Sequence, residues 1–125
     1  MIVIDYQERM PIYEQIVERF QKLIIKGVMG PDAQMPSVRK LATDLSINPN
    51  TIQKAYAVLE NQGFIYPVKG RGNFVASNPA EGMGRKKEEY YGQLKETVQY
   101  AIDLKIDYED LIKKIKEYYE EGQHD

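Results

Sequence analysis

The chain has 125 residues, 42% of them hydrophobic and 29% charged, with a formal net charge of -2. That is enough for one compact domain or two small ones, and no run of eighteen apolar residues is present to span a membrane. Cysteine is absent, which excludes disulfides and thiolate-bound metals and suits a cytoplasmic protein; the opening MIVIDYQER is too poor in apolar residues for a signal peptide.

The charge is uneven. Residues 1–78 carry nine Lys/Arg against seven Asp/Glu, a net of +2, and residues 79–125 carry eight against twelve, a net of -4. Within 36–78 the count is five basic to two acidic, a small asymmetry that points the same way as the motifs below.

Pro11, followed by Ile12, Ile16, Phe20, Leu23 and Ile24 at three- and four-residue steps, predicts a helix over about 11–26, with proline in its first turn and Gly27 just past its end. GVMGPDAQMP reads as a loop. Ser37 can cap a short helix running to Leu45, with Val38, Leu41 and Leu45 on one side. Ser46-Ile47 is a tight turn, and a third helix follows over Pro49–Asn61, its inward face Ile52, Ala55, Tyr56 and Leu59 and its stop Gly63. Two helices joined by so short a turn make a helix-turn-helix. FIYPV and NFVA flank the tetrad KGRG and predict a β-hairpin.

Residues 77–84, SNPAEGMG, read as a linker. Beyond it one helix is expected over about 85–105, and a second is capped by Asp107 with Tyr108, Leu111, Ile112, Ile115, Tyr118 and Tyr119 as its stripe. The fold class is therefore mostly α with a small hairpin wing. Residues 1–76 form a winged helix-turn-helix and 85–125 a two-helix dimerisation segment, with room for at most a small effector site.

The polar front of the third helix explains itself if that helix enters a major groove, where its N-terminal residues meet base edges. Asn48 and Asn50 can donate and accept together, as an adenine edge requires, and Thr51 can bond a phosphate or touch a thymine methyl. Free N–H groups at that helix start would favour a phosphate as well. Gln53 and Lys54 lie one turn on, with Lys54 in reach of the backbone. Ser37 and the free amides of its helix start suit a phosphate, and Arg39 a phosphate or a guanine. Lys69 and Arg71 flank Gly70 at the wing tip, which glycine lets approach the duplex closely. Each has a plainer reading: Ser37 and Asn48 or Asn50 as simple caps, Arg39 and Lys40 as a solvated face, KGRG as a charged turn. Their joint placement on one winged-helix face favours DNA.

These motifs, in the order Pro-Ser-x-Arg-x-Leu-Ala, Asn-Pro-Asn-Thr, Leu-Glu-x-x-Gly-Phe-Ile and Gly-Arg-Gly-x-Phe-Val over residues 10–76, resemble the DNA-binding domain of the GntR family of bacterial transcription regulators. The Asn-Pro-Asn-Thr form and the short tail resemble its YtrA-like subfamily. The resemblance implies a homodimeric repressor on a near-palindromic operator, often beside transporter genes. It places Arg39, Asn48, Asn50, Thr51, Gln53, Lys69 and Gly70 where relatives touch DNA. Four positions depart from the family pattern. Ser46 and Asp32 stand where glycines are usual, Gln53 where arginine is frequent, and Pro49 where many relatives outside the subfamily carry a guanine-reading arginine.

Two helices with about 45 residues cannot bury a sizeable core alone, so the tail is expected to pair with a second copy. An unidentified effector remains an open partner, and any pocket for it would lie between subunits or domains. No cofactor is called for. Catalysis lacks parts: the single histidine is His124, and GRG is too short for a nucleotide-binding loop. The alternative to a DNA reader is a winged helix used for protein contacts.

Overall fold

The computed structural model describes residues 2–123; His124 lies outside them. The chain divides into two compact units, Met1–Lys86 and Lys87–Asp125.

In the first unit α1 (Ile12–Ile25) begins one residue later than the pattern suggested, because Pro11, at φ -54° and ψ 149°, is the extended residue outside the helix. Ile16, Phe20 and Ile24 carry its stripe into the core. Buried Gln15 ties down the preceding segment. Its Nε2 donates to the carbonyls of Asp5 and Met10, and its Oε1 accepts from the Asp5 N–H, each at 2.9 Å. A buried amide left unpaired would cost about 1–3 kcal/mol, so the pairing is what lets a glutamine sit there.

α2 (Val38–Leu45) starts on Ser37, whose Oγ accepts the Lys40 N–H at 3.0 Å. It ends on Ser46 in the left-handed region at φ +55°, and the Ile47 N–H closes the turn onto the Ala42 carbonyl at 2.9 Å. Left-handed φ is the reason glycine is usual there. α3 (Pro49–Asn61) has the bounds its sequence predicts and buries Ile52, Ala55, Tyr56 and Leu59. The Tyr56 ring meets Phe20 edge-on, centroids 5.8 Å apart at 81°. Its hydroxyl donates to the Pro36 carbonyl at 2.8 Å, and burial pushes the phenol's pKa well above its ordinary value. The phenol thereby fixes the chain just ahead of α2 onto α3.

β1 (Ile65–Val68) and β2 (Gly72–Val75) pair antiparallel with Ile65 opposite Val75 and Val68 opposite Gly72. Ile65 and Val75 reach the core and root the hairpin, and Phe64 just before it is fully buried. The loop before α2 forms a third edge on β2. The Asp32 N–H donates to the Val75 carbonyl, the Val75 N–H to Ala33 and the Met35 N–H to Asn73, at 2.9, 2.8 and 2.8 Å.

The stretch expected as a linker to 84 is largely helical. α4 (Ala80–Asp103) begins at Ala80, with the Asn78 Oδ1 accepting the Ala80 N–H at 3.2 Å. Proline and two glycines suggested a break, but Pro79 falls just before the helix, where its missing donor costs nothing. Gly82 is small for a packing reason: a Cβ there would lie 2.9 Å from the Phe64 ring and 3.0 Å from the Gln62 carbonyl. Arg85 completes this seat, Nη1 donating to the Asn61 carbonyl at 3.0 Å.

In the second unit the remainder of α4 is followed by α5 (Tyr108–Gly122). Asp107 occupies the cap position of α5, but its side chain makes no capping bond. Among the described residues of this unit only Ala101 is buried; Tyr100, Ile102, Leu104, Tyr108, Tyr118 and Tyr119 are all more than half exposed. No helix among the described residues is long and apolar enough to cross a membrane.

Candidate nucleic-acid interface

The front of α3 is built by two asparagines with different tasks. Asn48 is the N-cap: its Oδ1 accepts the Asn50 N–H at 2.8 Å, which commits the oxygen and leaves its NH2 to act as a donor. The side chains of Asn50, Thr51 and Gln53 make no hydrogen bond among the described residues, and Asn50 and Gln53 are exposed. A polar side chain with no intramolecular duty, at the leading end of the second helix of a helix-turn-helix, is free to meet a base edge.

The expected free amides are not at this helix. Pro49 has no N–H, the Asn50 N–H is taken by Asn48, and the Thr51 N–H bonds the Asn48 carbonyl at 2.9 Å. Proline at the first helical position and an asparagine cap together consume the donors a phosphate would use. Only side chains are left there to meet a ligand. At the start of α2 they are present, as expected there: Ser37 takes the Lys40 N–H, and no bond engages the Val38 and Arg39 N–H groups among the described residues. The Ser37 hydroxyl, accepting from Lys40, keeps its own proton to donate.

The cations divide. Arg19 pairs with Glu8, Lys22 with Glu18, Lys40 with Asp44 and Arg85 with Glu81, at 3.2–3.5 Å. Lys40 is thus a helix-surface pair, as its plain reading held. Arg39, Lys69 and Arg71 enter no ion pair among the described residues and are exposed. Arg9 and Lys26, outside the expected face, share that status, so lack of a partner does not by itself mark the face. Lys54 is held in another way: its Nζ stands 3.9 Å from the centroid of the Tyr13 ring, on α1. Sequence reading missed Tyr13, because its use depends on which faces of α1 and α3 meet. The attraction of an ammonium to a ring face limits the rotamers of a long side chain.

The wing tip is a tight turn. The Arg71 N–H donates to the Val68 carbonyl at 2.9 Å, with Gly70 at φ +78° as the third residue. Such a turn requires positive φ at that place, and glycine supplies it without a Cβ at the apex. Lys69 and Arg71 are thereby set on either side of the apex.

Residues 12–75 match the model of the bacterial regulatory proteins of the gntR family. The chain belongs to this family. It is 40% identical to the HTH-type transcriptional repressor YtrA of Bacillus subtilis, over 94% of this chain and 91% of that protein. A transcriptional regulator from Oenococcus oeni superposes with a TM-score of 0.78 at 28% identity, covering 95% of this chain and 99% of that one. The DNA-binding domain of AraR, solved in complex with an operator, superposes with a TM-score of 0.52 at 32% identity over 61% of this chain and 93% of that one. This GntR-family chain is a DNA-binding transcriptional regulator with a winged helix-turn-helix, and its match to YtrA runs through the tail as well as the reading head. Two family departures acquire a geometry: Ser46 and Asp32 both hold left-handed backbone, at φ +55° and +63°, in place of the usual glycine. Among the described residues no cluster of three or more His, Cys, Asp or Glu is arranged to hold a metal.

Proposed function

We propose that this regulator represses transcription from the cytoplasm by binding, as a homodimer, a near-palindromic operator, with transporter genes among its targets. The observation that carries the reading is the front of α3. Asn50, Thr51 and Gln53 have no structural duty there, although a merely structural helix start would spend its polar groups on capping. In this reading Asn48, Asn50, Thr51 and Gln53 address bases, with Arg39 reaching a guanine or a phosphate. Ser37, Lys54, Lys69, Gly70 and Arg71 meet the backbone. The assigned role is binding, with no catalytic step, and it needs no cofactor.

Support for the dimer comes from the second unit. Ile106, Leu111, Ile115 and Tyr118 line an open groove along α5 that its own unit leaves uncovered. With Tyr100, Ile102, Leu104 and Tyr119 also exposed, apolar surface of this unit favours burial against a partner at roughly 25 cal/mol per Å². A second copy is the occupant that gives a two-fold operator two readers, spaced by about one turn of DNA.

The test is a titration of a labelled duplex from the promoter of the protein's own operon, alongside sedimentation velocity of the free protein. Binding at two protomers per duplex is expected, with an Arg39→Ala loss of about 1–3 kcal/mol that is confined to the specific duplex if Arg39 meets a guanine and uniform across duplexes if it meets a phosphate. Equal affinity of the Arg39→Ala protein, or a monomer at working concentration, overturns the reading.

A further inference from the structure

The loop ahead of α2 is a strand of the wing in all but name. Gln34 bridges to Phe74, and three backbone hydrogen bonds join residues 32–35 to β2. Two side chains add cross-links at opposite ends. At the root, one oxygen of Asp32, Oδ1, accepts from the Tyr66 hydroxyl on β1 at 2.8 Å and from the Ser77 hydroxyl beyond β2 at 2.5 Å. One carboxylate thereby ties three chain segments. Both donors favour its charged form and hold its pKa below the ordinary value. Near the tip, the Gln34 Nε2 donates to the Arg71 carbonyl at 3.0 Å.

A two-stranded hairpin is marginally stable by itself, and its tip is its loosest part. The same four residues lead through Pro36, whose carbonyl holds the Tyr56 phenol, into Ser37 and Arg39. The wing tip and the start of α2 therefore hang from one short segment. Glycine at position 32 would adopt φ +63° without strain, but it could supply no carboxylate.

We propose that Asp32 and Gln34 are positioning residues for DNA binding, bracing the wing so that Lys69 and Arg71 meet the duplex backbone at a fixed angle to Arg39. The proposal rests on the reading of the wing as part of the DNA face. Neither side chain touches DNA; each acts by stiffening the element that does. The exchange of a permissive glycine for aspartate at 32 is thereby explained as backbone freedom surrendered for a cross-link.

The experiment titrates a fluorescein-labelled duplex from the promoter of the protein's own operon across a potassium chloride series. It compares Asp32→Gly, Gln34→Ala, Tyr66→Phe and the double variant Lys69→Ala/Arg71→Ala, each also combined with that double variant, and records the melting temperature of every free protein. Each brace variant is expected to weaken binding by about three- to tenfold and to flatten the salt dependence, with no further loss in the Lys69→Ala/Arg71→Ala background. Tyr66→Phe, which removes a single hydroxyl, keeps the test valid should Asp32→Gly unfold. Wild-type affinity and salt dependence in the brace variants, while Lys69→Ala/Arg71→Ala binds more weakly, overturn the brace alone. A brace loss of undiminished size without Lys69 and Arg71 also overturns it. Wild-type binding by Lys69→Ala/Arg71→Ala removes the wing from the DNA face, and the brace falls with it.

Discussion

Removing the two wing cations should change how binding responds to salt by an amount that also counts protomers. Four cations per chain occupy the expected face: Arg39, Lys54, Lys69 and Arg71. A homodimer presents twice that number. Counting each as one neutralised phosphate, and taking about -0.9 in log K per log salt for each, the dimer's slope is about -7. Affinity then falls by about four decades between about 50 and 200 mM salt. Lys69→Ala/Arg71→Ala removes two cations per protomer, which lowers the magnitude of the slope by about 3.6 for a dimer and about 1.8 for a monomer. The wing tip is exposed and makes no ion pair among the described residues, so the substitution strips charge without orphaning an internal partner. Fluorescence anisotropy of an operator duplex in stepped potassium chloride measures both slopes. A slope unchanged by the double substitution would refute the placement of the wing on the backbone, and a change near 1.8 would refute simultaneous docking of two copies.

Other outcomes follow from single contacts. Asn48→Ala deletes the acceptor of the Asn50 N–H at 2.8 Å and is expected to lower stability by about 1 kcal/mol in urea titration, with a further loss in operator affinity. Gly82→Ala drives a Cβ to 2.9 Å from the Phe64 ring and should destabilise the protein by about 1–3 kcal/mol. Gly84→Ala on the same helix meets nothing within 4 Å and should stabilise it by about 0.5–1 kcal/mol, so melting temperatures of the pair move in opposite directions. Asp32 is held below its ordinary pKa of 3.8 by the Ser77 and Tyr66 hydroxyls. Its contribution to stability is therefore complete above 3.8 and disappears as pH falls through the depressed folded value. Asp32→Asn should accordingly flatten the acid limb of the stability profile by lowering the neutral plateau, with stability at the acid end unchanged.

The parts of this fold written in the sequence are those set by short-range chemistry. α3 is bounded by an asparagine cap, a proline at its first position and a glycine past its end, and its bounds are those printed in the residues. Ser37 caps α2 for the same local reason. The start of α4 was hidden because its glycine answers to a distant partner: Gly82 is small on account of Phe64, which no local pattern reveals. Free amides were expected at α3 from a general property of helix starts, and the specific choice of Pro49 and Asn48 removes them. Tyr13, Gln34 and Asp32 were invisible as contributors to the candidate face for one reason. Each matters only through a neighbour brought close by tertiary packing, on α3 or on the wing.

The phenol of Tyr56 has a consequence for who deforms when protein and duplex meet. Because its hydroxyl clasps Pro36 from inside the core, α3 and the entrance to α2 travel as one stiff template, and the left-handed Ser46 between them leaves little slack. In the proposed docking the work of fitting would then fall on the nucleic acid, whose base steps differ in how cheaply they bend.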